Sequence, residues 1–198
     1  MNPEQIAHIL SKLEFNVEIT EGESSVDIMM NHATQEDVDA FEWPQRFESL
    51  MITSGHVDRV EVPKDCGVER MYLDGLALRS VYVPDSVVKV ALCDNKLRHL
   101  ELPSTIEIVE ANNNLLRDIS FRGGNPTHLC SLELDSNLLT SFEWEAPDTL
   151  EFATFARNEH MYFMSKSMLE AAVNCAYCCK VHPLFGCPCF HGSPNVCQ

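Results

Sequence analysis

From Phe47 to Phe163 the apolar positions recur with a long period. With Val68, Val87, Ile106, Leu129 and Leu150 as the first position of successive rows, the fourth holds Met71, Val90, Val109, Leu132 and Ala153, and the sixth Leu73, Leu92, Ala111, Leu134 and Phe155. The ninth is Leu76 and then Asn95, Asn114, Asn137 and Asn158. The eleventh is Leu78, Leu97, Leu116, Leu139 and His160, and the fourteenth Val81, Leu100, Ile119, Phe142 and Phe163. An earlier row falls in step through Phe47, Leu50, Ile52, Gly55, Val57, Val60 and Val62. Row starts lie 21, 19, 19, 23 and 21 residues apart, a period that belongs to stacked coils.

Apolar residues at positions four and six around a polar one predict a short strand with one buried face. A single row is too small to bury that face by itself, so each row must lean on its neighbours. Asparagine at position nine suits a tight turn inside the coil, because its amide both donates to and accepts from backbone groups left unpaired there. Gly55 and Leu76 break that pattern and predict less regular first rows. Pro63, Pro84 and Pro103 follow the second apolar pair, where a missing N–H ends strand pairing without harming the core. The row from Ile106 has Arg122-Gly123-Gly124-Asn125-Pro126 instead, a longer loop and a candidate for local function.

The flanks read differently. Asn2-Pro3 opens a short amphipathic helix carrying Ile6, Ile9, Leu10 and Leu13. Phe15, Val17 and Ile19, the turn Glu21-Gly22-Glu23-Ser24, and Val26, Ile28 and Met30 predict a hairpin. Thr34 and Asp37 form a capping box ahead of a helix through Val38 and Phe41 that Pro44 ends. Residues 1–46 are thus an N-terminal cap of helix, hairpin and helix, 47–164 the repeats, and 165–198 a C-terminal capping helix and Cys-rich tail. Ser167-Met168-Leu169-Glu170 reads as that helix's capping box.

The pattern L-x-x-L-x-L-x-x-N-x-L-x-x-L-x-L-P resembles the leucine-rich repeat in its short, proline-terminated form. The resemblance implies an α/β solenoid: a right-handed coil of five to six repeats with an α+β N-terminal cap and a helical, Cys-rich C-terminal cap. It also implies that the outward side chains of the first strand form a binding surface. Here these include Arg70, Tyr72 and Asp74, then Lys89, then Glu110 and Asn112, then Glu133 and Asp135, and finally Phe152. Basic and aromatic residues come first, acids in the middle, and small or apolar ones last. Strands about 4.8 Å apart bring Glu110 beside Glu133. Like charges at that spacing oppose folding unless a cation or a basic partner meets them. Glu61, Tyr82, Glu101, Ser120 and Glu143 form another column, read as a solvated strand edge.

Charge narrows the classes. Thirty acids against fourteen bases give a formal charge of −16, which repels phosphate and argues against nucleic acid and anionic membrane surfaces. A protein partner with a basic surface is favoured. No apolar run approaches membrane-spanning length. The N-terminal residues carry no secretory pattern. The expected location is therefore cytoplasmic, or within a particle assembled in the cytoplasm.

Candidate chemistry collects in the tail, where Cys175, Cys178, Cys179, Cys187, Cys189 and Cys197 stand with His182 and His191. Cys175 and Cys178 lie one helical turn apart, a spacing at which one tetrahedral zinc takes both sulfurs, with Cys187, Cys189 or His191 completing the set. Disulfides are the alternative, and reduced cysteines packed as small apolar residues are a third reading, which also covers Cys66, Cys93 and Cys130. No phosphate loop, G-x-S-x-G or H-E-x-x-H occurs. The expectation is a non-enzymatic binding or scaffolding protein in a larger assembly. Two alternatives come from resemblance: a structural component of a large DNA virus particle, and an effector-like ubiquitin ligase with a small zinc-bearing C-terminal module.

Overall fold

The computed structural model describes residues 16–21 and 26–173. The chain winds as a β-solenoid of about seven turns. Its principal sheet has eight strands, the first antiparallel to the second and all later neighbours parallel. They are Asn16–Glu21, Val26–Asn31, Arg46–Ile52, Gly67–Tyr72, Lys89–Ala91, Ile108–Glu110, Ser131–Glu133 and Phe152–Thr154. Adjacent turns stay in register, so Met71, Val90, Val109, Leu132 and Ala153 stack as one buried row. The apolar positions of the turns enter one continuous core, Phe163 at its C-terminal end excepted at 50 % exposed, and within it Leu92, Leu97, Leu100 and Leu102 are all at most 1 % exposed. Each such leucine contributes about 2 kcal/mol of burial, and that burial exists only because the next turn covers it.

The opposite side of the coil carries short parallel pairs, Arg59–Glu61 with Ser80–Tyr82, His99–Pro103 with Asp118–Arg122, and Ser141–Phe142 with Phe163–Met164. An α/β coil implies more helix than this. Among the described residues the helices are Gln35–Ala40 and Lys166–Val173. Rows this short, closed by proline and rich in β-branched residues, return through bends and strands because a helix does not fit the remaining length.

The sheet reaches further toward the N-terminus than the repeat pattern. Val26–Asn31, placed in the cap by sequence, pairs in parallel with Arg46–Ile52, setting Ile28 beside Leu50 and Met30 beside Ile52. Ala33 sits opposite Gly55, whose φ is +136° and whose missing Cβ would lie 1.9 Å from the Ala33 carbonyl oxygen. Glycine holds this ninth position because the two backbones meet there. The helix Gln35–Ala40 closes the same turn. Thr34 Oγ1 accepts from Asp37 N at 3.3 Å, and the Asp37 carboxylate accepts from Thr34 N at 2.7 Å.

At the other end the cap differs from the sequence expectation. Ser165, not Ser167, caps the helix Lys166–Val173, its hydroxyl accepting from Met168 N at 3.3 Å. Ser167 is drawn sideways: its hydroxyl donates to Glu145 and accepts from Ala146 N at 3.0 Å. Met168 is fully buried against the last turn.

Candidate functional site

Two ladders shape the coil, one buried and one facing outward. The buried one is built from amides. Asn114 Oδ1 accepts from Leu97 N at 3.1 Å, and its Nδ2 donates to Leu92 O at 2.8 Å, both in the preceding turn. Asn137 treats Leu116 N and Ala111 O likewise, Asn158 treats Leu139 N and Leu134 O, and Asn95 treats Leu76 N, Leu78 N and Leu73 O. Each amide also donates to a carbonyl of its own turn, as Asn95 does to Leu92 O at 3.0 Å. The residue just before each asparagine, Asp94, Asn113, Ser136 or Arg157, has a φ of 56° to 60°. That left-handed kink lets the amide turn back on its neighbour.

The outward ladder lies on the exposed face of the principal sheet. Register puts Arg70, Lys89, Ile108, Ser131 and Phe152 in one column and Tyr72, Ala91, Glu110, Glu133 and Thr154 in the next. In a third column, just past the strand ends, side chains reach the backbone of the following turn. Asp74 Oδ1 accepts from Cys93 N at 2.6 Å, Asn112 Oδ1 from Asp135 N at 2.8 Å, and Asp135 Oδ1 from Ala156 N at 2.8 Å. These bonds hold the face stiff along the coil axis.

Glu110 and Glu133 are direct partners in the register, and the chain supplies its own compensation. Lys89 Nζ lies 2.9 Å from Glu110 and 5.7 Å from the centre of the Tyr72 ring. The hydrogen bond to Glu110 holds the Lys89 ammonium above its ordinary pKa. Asn112 Nδ2 donates to Glu133 at 2.9 Å. Arg70 meets Glu48 at 2.6 Å. Asp74, Glu133 and Asp135 then remain without a cation in ion-pair contact among the described residues, so the middle of the face is acidic. Burial pushes the Asp74 carboxyl above its ordinary pKa, against the hydrogen bond from Cys93 N that lowers it. Phe152, 38 % exposed, closes the face at its C-terminal end.

Two of the thiols here, Cys66 and Cys93, are held in the protonated form. Burial pushes Cys93 up to about 11 and also raises Cys66, so both stay protonated at neutral pH and lack nucleophilic character. Cys66, Cys93 and Cys130 are free. Among the described residues no group of three or more His, Cys, Asp or Glu side chains is placed to hold a metal. The sequence-derived zinc candidates Cys175, Cys178, Cys187, Cys189 and His191 lie outside the described residues. Among the described residues no helix is long and apolar enough to cross a membrane.

On the opposite side Arg122 bolts three turns together. It lies 2.9 Å from Asp85, 3.3 Å from Glu101 and 4.8 Å from the centre of the Tyr82 ring, and donates to Val83 O. Burial works against its charge, and the two carboxylates outweigh it. Arg122 opens the long Gly-Gly loop, so that stretch fastens turns to one another. In comparisons with protein-family models, curated proteins and solved structures, the chain has no significant match.

Proposed function

We propose that the protein is a non-enzymatic binding or scaffolding module of leucine-rich-repeat type, gripping a protein partner with the exposed face of its principal sheet. The arrangement that carries this reading is the third-column ladder of Asp74, Asn112 and Asp135, each bonded to the next turn's backbone. It presents fixed side chains on a broad surface, and a surface ordered beforehand loses little entropy on association. Uncompensated acids at its centre favour a basic partner, and Phe152 offers an aromatic anchor at the rim.

Affinity capture with the full chain, followed by cross-link mapping, tests the reading. A partner captured by the wild type is lost on Glu133→Lys and on Phe152→Glu, is retained on Glu143→Lys on the opposite side, and is released by salt. Equal capture by all three variants refutes the assignment of the face. Metal analysis of the same preparation reads the state of the cysteine tail.

A further inference from the structure

With thirty acids and fourteen bases, a base without a carboxylate is unexpected here. Arg46, Arg59, Arg70, Lys89, Arg122 and Lys166 each have one within ion-pair distance, and Lys64 lies over Tyr82. Arg79, Lys96, Arg98, Arg117 and Arg157 are exposed, and their side chains make no ion pair or hydrogen bond among the described residues.

Arg157 stands apart, just before Asn158, and the other four fall together. Arg79, Arg98 and Arg117 each follow the buried leucine of position eleven, Leu78, Leu97 and Leu116, in three successive turns. Arg117 N donates to Arg98 O at 2.9 Å and Lys96 N to Leu78 O at 2.8 Å, so the turns stack in step. At a spacing of about 4.8 Å per turn, the three guanidinium side chains rise from one column on the flank between the two sheet faces. Like charges stacked this way oppose folding. Asp118, beside Arg117, lies 2.8 Å from His99 and makes no ion pair with an arginine of the column. At its N-terminal end the column opens on a cleft of about 310 Å³ whose lining includes Gln35, His56, Asp58, Arg79 and Lys96.

We propose that this flank is a second binding surface, for an extended acidic peptide segment that seats one carboxylate in the cleft between Arg79 and Lys96 and others on Arg98 and Arg117. Alternate side chains of an extended segment lie about 6.8 Å apart. Two or three of them span the column of roughly 10 Å within the reach of arginine side chains, whose planar forks pair bidentately with carboxylates. The chain's net charge turns away long polyanions and leaves short-range pairing of a small acidic motif as the interaction this column offers. The proposal is independent of what the principal sheet face binds.

Fluorescence polarisation tests it with a labelled peptide alternating Glu and Ser, titrated at low salt with the full chain. Saturable binding is expected. The double variant Arg98→Gln/Arg117→Gln weakens it about tenfold or more, and Asn125→Ala in the exposed long loop leaves it unchanged. Thermal melting separates binding from folding: relief of the stacked charges leaves the double variant at least as stable as the wild type. The proposal is overturned by absence of saturable binding, by equal binding of wild type and double variant, or by tighter binding of a single-stranded oligonucleotide of the same length. A lower melting temperature in the double variant overturns it too, because the column then serves the fold.

Discussion

Replacing Asn137 with alanine removes the amide that ties the turn of Leu134 to the turn of Ala111. Its Oδ1 accepts from Leu116 N at 3.0 Å, and its Nδ2 donates to Ala111 O at 2.9 Å and to Leu134 O at 3.1 Å. The two carbonyls keep a donor after the change, since Asn114 Nδ2 lies 3.3 Å from Ala111 O and Asn158 Nδ2 lies 2.9 Å from Leu134 O. The Leu116 N–H loses its partner while buried, which costs about 1–3 kcal/mol. The vacated volume adds about 1 kcal/mol. The sum is about 2–4 kcal/mol, or a fall of roughly 0.7–2 M in the urea midpoint at a slope of roughly 2–3 kcal/mol per molar. Urea unfolding followed by circular dichroism measures it, with Asn125→Ala in the exposed long loop as the control. If the midpoints imply a difference between the two variants below about 0.5 kcal/mol, the size of an ordinary surface change, the amide ladder does not hold the coil together.

Further outcomes follow from other positions. The raised pKa of Asp74 means that the folded chain binds its proton more tightly than the unfolded chain, so this carboxyl lowers stability as pH rises through its folded value. Asp74→Asn keeps the acceptor for Cys93 N and should raise the melting temperature at neutral pH, the gain vanishing below the ordinary carboxylate value of 3.8; an equal gain at all pH refutes the cause. Ser136→Gly and Arg157→Gly, at φ of 56° and 60°, should each stabilise by about 0.5–1 kcal/mol in thermal melts, with a smaller gain for Asn113→Gly. Gly55→Ala places a carbon on the Ala33 carbonyl and should unfold the first turns, read as lost amide protection over residues 26–62 while later turns stay protected.

The coil is legible in the chain because burial writes its period directly. Positions four, six and eleven are apolar wherever the next turn covers them, and the ninth is asparagine wherever an amide must reach back one turn. The period fades where other means do the same work. In the turn of Ile28, Ala33 and Gly55 bring two backbones into contact, so no asparagine marks it. The left-handed residues are readable at Asp94 and Asn113, which favour that conformation, and unreadable at Ser136 and Arg157, which do not. Ser165 and Ser167 offer equivalent capping chemistry, and tertiary contacts with Ala146 and Glu145 decide between them. The outward columns need the register: Lys89 reaches Glu110 only when turns are stacked. The arginine column at Arg79, Arg98 and Arg117 is readable in the spacing, one residue after each leucine of position eleven.

The amide ladder has a direction. Asn95, Asn114, Asn137 and Asn158 each clasp the turn before them, so the turns from Leu73 to Leu139 are latched by their successors, and the final one is finished by Ser165 and Met168. In the folded coil each of these turns is therefore held by the one that follows it. A chain cut short therefore leaves a single loose turn at the break, with the body behind it still shut.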